Sequence, residues 1–293
     1  MNEYFVTTDM TADFPPELAE EDFRILPMSY VLDGVEYDGK TRPFLPLRDF
    51  YSALEQGKNT TTSMVPVADA YEFFADILKQ GKDILHISFP AAMSGCFDGY
   101  LRAAEIAKEK FPERRVVVID GKCACSGEGL LTYYALKRRR EGATLDENAA
   151  YVTELRDHIG HAFTVKNLYH LYRGGRLSRG AAIVGQAIKL NPILMVDENG
   201  ALVHIGNVMG RKLAMRTLLA KMARETEGYV NDVVIVAHGD CADDAALLAD
   251  KVRERFPGQK VAVTEVGPII GSHCGKGMLA LLYLAKSKTD RRI

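Results

Sequence analysis

The chain has 293 residues, of which 47% are hydrophobic and 26% charged, and its formal net charge is −2 at neutral pH. This is the profile of a globular protein longer than one ordinary domain, with enough apolar material for a sizeable core. The balance gives no support for nucleic acid or an anionic membrane as partner, no apolar run approaches the ~18 residues of a membrane span, and five irregularly spaced cysteines make no disulfide framework.

The polar start "MNEYFVTTD" lacks the order of a secretory signal, so the expected compartment is the cytoplasm, with reduced cysteines. Arg138–Arg140 and the tail "KSKTDRRI" read as a solvated helix face and terminus. Cys123 and Cys125 have no second pair at zinc spacing, and the histidines are scattered, so no metal site is expected.

In chain order, "EYFVTTD" is a short strand ending in the turn-prone "TADFPP". "RILPMSYVLDGVEYDG" alternates around Asp33-Gly34, the pattern of a β-hairpin. Helices are expected over Leu47–Gln56 and Ala68–Lys79. The buried-strand run "DILHISF" follows, then a helix over Phe97–Lys110, the strand "RVVVID" and a helix over Gly127–Arg140. That succession predicts a parallel sheet with helices on both faces. The pattern changes near residue 160, where the boundary between a domain over 1–160 and one over 161–293 is placed. A polar helix is expected from Leu145, just before that boundary; beyond it come a helix over Ala181–Leu190 and a hairpin "PILMVDENGALVHIG" turning at Asn199-Gly200. Then come a helix over Lys212–Glu225, the strand "DVVIVAHGD", a helix over Ala242–Phe256, the strand "KVAVTEV" and the glycine-dense loop "GPIIGSHCGKG". The apolar "MLALLYLAK" (278–286) is expected to be a last helix, packed in the interior at the domain interface. The fold class is therefore α/β, with a mixed sheet in the second half.

Four constellations carry possible chemistry, each with a purely structural alternative. Gly267–Gly277 misses the phosphate-loop pattern at two positions, yet glycines there let backbone approach an anion closely. It is otherwise a tight connection with an outward His273. The hydroxyls of Thr60–Ser63 either cap a helix or offer neutral donors to a carboxylate. Ser94-Gly95 follows a parallel strand at a helix start, a place for a cap or for an anion. Arg173, Arg176 and Arg179 are either solvated or ready to bind a carboxylate.

Taken together and in order, "VTTDMTADFP", "TTSMVP", "MSG", "VVVIDGKCACSGEGLL", "LYRGGRLS", "IKLNPILMVDENGAL" and "GPIIGSHCGKG" resemble the DegV family of bacterial fatty-acid-binding proteins. The resemblance covers about Tyr4 to Leu284. It implies a two-domain α/β protein that holds one long-chain fatty acid without a cofactor, and presents its carboxylate to a separate fatty acid kinase catalytic subunit. It implies a non-catalytic role, with only transient membrane contact. By motif, Thr62 with Ser63 and Ser94 with Gly95 look like the hydroxyl segments around the carboxylate. His273 looks like the loop histidine beside it, and Arg176 like the basic residue nearby. The sequence departs from the family pattern at Met10, Gly121, Met64 (often Gln) and Cys96 (often Thr), which bears on the contour of the cavity. A second reading is an acyl hydrolase with Ser94 or Cys274 as nucleophile and His273 as base. A third is a regulatory interaction protein with an empty pocket.

Overall fold

The computed structural model describes residues 3–21, 23–177 and 190–293. The first half runs β1 (Tyr4–Asp9), β2 (Phe23–Leu26), β3 (Tyr30–Leu32), β4 (Val35–Tyr37), α1 (Leu47–Glu55), β5 (Thr60–Thr62) and α2 (Val67–Leu78). It continues through β6 (Asp83–Ser88), α3 (Cys96–Lys110), β7 (Val116–Asp120), α4 (Ser126–Arg140) and α5 (Leu145–Leu155). The second half holds β8 (Ile159–Thr164), α6 (Tyr169–Arg173), β9 (Leu190–Val196), β10 (Leu202–Met209) and α7 (Arg211–Glu225). It ends with β11 (Val234–His238), α8 (Ala242–Arg255), β12 (Val261–Glu265), α9 (Pro268–Cys274) and β13 (Leu279–Leu284).

The first sheet has the order β2-β1-β6-β7, with every pair parallel. Every residue of β1 and of β6 is buried, as strands covered on both faces must be. The chain leaves β1 to build β2 on one side and returns as β6 on the other. The carboxyl ends of β1 and β6 therefore flank a topological switch point, where open α/β sheets leave a crevice.

A small antiparallel sheet, β4-β3-β5, sits beside it. Its hairpin turns at Asp33 (φ 54) and Gly34 (φ 81), the pair of positive φ values that the Asp-Gly signal predicts. Pairing of β5 with β3 sets Thr62 opposite Tyr30.

The second sheet is mixed, β10-β9-β8-β13-β11-β12, with only β11 and β12 parallel among these pairs. The Asn199-Gly200 hairpin forms as expected. Asp197 Oδ1 accepts the backbone N–H groups of Asn199 and Ala201 at 3.0 Å each.

Two expectations are corrected. The stretch 278–286 is not a helix, because Leu279–Leu284 forms β13, antiparallel to both β8 and β11. An apolar run buried on all sides has no periodicity to tell a helix from a strand covered on both faces, and its six residues suit a strand. The "loop" before it contains α9, which starts after Gly267 and stops where Gly275 takes φ +71. The expected helix over Ala181–Leu190 falls on residues outside those described, except Leu190, which opens β9.

Helix α4 lies between the two large sheets, in contact with β1 on one side and with β8 and β13 on the other. Leu85, Ile87 and Ile119 of the first sheet share one apolar cluster with Phe163, Ala280 and Leu282 of the second.

Candidate functional site

A cavity enclosing about 840 Å³ of space not filled by atoms, part of it open to solvent, lies at the switch point between the sheets. Phe89 and Met93, after β6, line it from the first sheet; Phe163 and Leu282 line it from the second. His161 with Phe163, and Ala280 with Leu282, are alternate residues on adjacent strands, paired in register as Leu282 with His161 and Ala280 with Phe163. Strand alternation thus turns one row of side chains from each strand towards the cavity.

The polar groups in the deep wall are already committed. His161 Nε2 accepts the Ala124 N–H at 3.1 Å, so its hydrogen sits on Nδ1, 3.0 Å from the Ile159 carbonyl. Burial pushes this imidazole down to about 3, keeping it neutral. The Cys125 thiol donates to Asp13 Oδ2 at 3.2 Å. The Thr11 hydroxyl lies 2.5 Å from Asp9 Oδ1 and 2.8 Å from Glu128 Oε2. It owns a single hydrogen, which belongs in the shorter contact. The second contact then needs a hydrogen from a carboxyl, and burial favours Glu128 as the neutral carboxylic acid that supplies it. Burial raises Glu128 well above the usual carboxylate range, with the Asp9 charge acting the same way. Thr8 donates to its other oxygen at 2.6 Å. A guest entering the deep cavity meets satisfied polar atoms and hydrocarbon.

The other end differs. Thr62 Oγ1 and His273 Nε2 are 2.8 Å apart, while the buried His273 Nδ1 has no partner among the described residues. A buried acceptor tolerates solitude better than a buried N–H, so the hydrogen belongs on Nε2, donated to Thr62. That leaves the Thr62 hydroxyl hydrogen for a guest. Burial, then the charges of Arg176 and Arg173, push His273 down to about 4, so it is neutral at physiological pH. Gly174 makes the packing possible: a Cβ there would stand 2.2 Å from His273 Nδ1.

Ser94 accepts the N–H of Cys96, the first residue of α3, at 3.2 Å, yet it keeps its own hydrogen to donate. Arg176 donates from Nε to the Met93 carbonyl at 3.1 Å and from Nη1 to the Gly174 carbonyl at 2.5 Å. Backbone thus holds this guanidinium at the cavity wall. Arg173 donates to Asn59 Oδ1 at 2.8 Å. Thr62, Ser63, Ser94, Arg176, His273 and Cys274 all border this cavity; Gly95, one residue past Ser94, is absent from the lining. Thr62, Arg176 and His273 also border a shallow outer depression that includes Asn59 and Arg173. The threonine run does not cap α2, whose start at Pro66 has no side-chain cap. Among the described residues no group of three or more His, Cys, Asp or Glu side chains could hold a metal ion, and no helix is long and apolar enough to cross a membrane.

A family model described as "Uncharacterised protein, DegV family" matches residues 4–286. The chain belongs to the DegV family. A DegV domain-containing protein of Clostridium perfringens is 34% identical over 289 residues, covering 98% of this chain and 99% of that one. The solved structure of a DegV protein from Thermus thermophilus, described for its fatty acid binding, is 25% identical, with a TM-score of 0.84 over 97% of this chain and 100% of its own. A DegV protein from Eubacterium eligens, loaded with heptadecanoic acid, is 20% identical and shares the fold with a TM-score of 0.85 over 97% of this chain and 100% of its own.

Several residues that line the DegV cavity or support its wall escape a motif reading. Asp9, Thr11 and Asp13 belong to a quoted motif, but only pairing with Glu128 and Gly267 makes them a buried acid network. Gly174 reads as part of an arginine motif, whereas its contact is with a histidine 99 residues later (273 − 174). His161 lies in a strand with no flanking signal at all.

Proposed function

We propose that this chain holds one long-chain fatty acid, with the acyl chain in the cavity and the carboxylate at Thr62, Ser94, His273 and Arg176. It presents that carboxylate to a separate kinase subunit, which forms the acyl phosphate. The observation that carries the reading is the division of the cavity. Its deep wall is apolar or internally satisfied, and the unspent donors gather at one end. Fatty acids in structures of family relatives support the ligand class.

At ~0.8 kcal/mol per buried methylene, about fourteen methylenes supply on the order of 11 kcal/mol before the cost of association. The tail therefore dominates affinity. Neutral hydroxyls satisfy the head without a tight ion pair, and the backbone carbonyls already engage Arg176 at two of its nitrogens. The outer depression shares Thr62, Arg176 and His273 with the cavity, so an external enzyme can reach the head from solvent.

The hydrolase reading has less support. Cys274 is buried and its thiol pushed up to about 12. His273 pairs with Thr62 rather than with Cys274 or Ser94. Native mass spectrometry of freshly purified protein should detect one fatty acid per chain. Addition of a fatty acid kinase catalytic subunit and ATP should convert it to acyl phosphate. Protein that neither carries nor takes up fatty acid sinks the reading; uptake without phosphorylation sinks its kinase half.

A further inference from the structure

Two methionines, Met28 and Met64, border both the inner cavity and an outer groove that contains Pro66, Phe73 and Asp69. Met28 is buried at 6% exposure, whereas Met64 is 59% exposed. The Met64 thioether lies on Gly95, at the first turn of α3 beside Ser94. A Cβ at Gly95 would stand 2.6 Å from Met64 Sδ. The absence of a side chain at Gly95 is what lets the sulfur close the wall there. Among the described residues only one other methionine is exposed, Met209 at 70%. It sits at the far end of β10 from the cavity-lining Leu202, roughly 20 Å away along the strand.

We propose that Met64 is an oxidation-sensitive modification site that controls retention of the guest, a role that rests on the fatty-acid reading above. A sulfur lone pair attacks one oxygen of a peroxide, and the O–O bond breaks. The departing hydroxide takes up a proton, so one thioether and one hydrogen peroxide give one sulfoxide and one water. The reaction turns a flexible apolar side chain into a polar one, and methionine sulfoxide reductases reverse it at the expense of a thiol. Facing inwards, the new acceptor oxygen competes with the guest carboxylate for the Ser63 and Ser94 hydroxyls. Facing outwards, it draws the side chain off Gly95 and opens the wall to the groove. Both outcomes speed release.

The test uses the full chain loaded with oleate, treated with hydrogen peroxide until peptide mass mapping shows Met64 converted. Release to acceptor vesicles of neutral phosphatidylcholine is then timed. Oxidation is expected to speed release about tenfold, the loss of roughly one good hydrogen bond. Reductase treatment should restore slow release. Met64→Leu, compared with its own untreated form, should lose the response, and Met209→Leu should keep it. Unchanged release with Met64 fully converted overturns the proposal, as does an undiminished response in Met64→Leu. Failure of the untreated protein to take up oleate instead overturns the underlying fatty-acid reading.

Discussion

Thr62 Oγ1 and His273 Nε2 stand 2.8 Å apart although 211 positions separate them in the chain. The small sheet supplies one partner and a seven-residue helix between β12 and β13 the other. The imidazole hydrogen polarises the threonine hydroxyl, whose own hydrogen is left for the guest. In the proposed complex the pair would act as a relay that directs one neutral donor at the carboxylate.

Removing the imidazole should therefore harm the head more than the tail. His273→Ala is expected to weaken fatty acid retention by about three- to tenfold, the worth of ~1 kcal/mol of hydrogen bonding. Acyl-phosphate formation in the presence of the kinase subunit should fall much further. Bound-lipid mass spectrometry beside a coupled kinase assay checks this, and equal losses in the two would refute it.

Gly174→Ala probes the same relay without touching either partner. Its Cβ would overlap His273 Nδ1 and force the ring away from Thr62. The variant should reproduce most of the His273→Ala defect in acyl-phosphate formation. Its backbone conformation is ordinary for alanine, so the urea midpoint should move much less. A variant with normal kinase coupling would show that the ring is free to shift without consequence.

Glu128 gives a test of hydrogen counting. If its carboxyl is neutral and donates to Thr11, glutamine can replace it, since an amide N–H donates to Thr11 and the amide oxygen accepts from Thr8. Glu128→Gln should stay within about 1 kcal/mol of the parent in urea unfolding. Glu128→Ala should lose roughly 2–4 kcal/mol by stranding two buried hydroxyls and leaving a void. Equal damage from both variants would mean the carboxyl is charged.

The sequence announces those parts of the fold whose signals are local. Asp33-Gly34 and Asn199-Gly200 turn where their dipeptides indicate, and β6 and β7 follow from short apolar runs. Leu279–Leu284 defeats such reasoning, because a strand covered on both faces and a buried helix present the same composition. The candidate site is legible only through motif order. Nothing near Thr62 indicates that His273 will reach it, since β5 and α9 meet through tertiary packing alone. The acid network is less legible still. A glutamate in "SGEGLL" looks like a helix-start charge until the fold places Thr8, Thr11 and Asp9 around it.

Asp13 should make stability depend on pH in an unusual direction. The residue keeps some surface, but its carboxyl is enclosed: Oδ1 accepts the Gly267 N–H at 2.7 Å and Oδ2 accepts the Cys125 thiol at 3.2 Å. Burial, then the nearby Asp9 charge, pushes it up to about 7. A carboxyl with a raised folded pKa binds a proton in the native state that the unfolded chain has released. Its contribution is therefore complete below pH ~3.8 and is lost as pH rises towards 7. His273 works the other way, since its depressed value favours the native state above pH ~6.5 and that contribution is lost as pH falls through about 4. Subtracting one variant's profile from the parent's isolates the aspartate. Asn suits the position, whose backbone is left-handed at φ 38, and its amide oxygen still accepts from Gly267. Between pH 5 and 7, Asp13→Asn should gain on the parent by on the order of 1 kcal/mol per pH unit, and the difference should flatten above 7. Urea unfolding at pH 5, 6, 7 and 8 measures it. Parallel profiles for the two proteins would show that the aspartate is ionised throughout, with its burial offset by contacts other than these two.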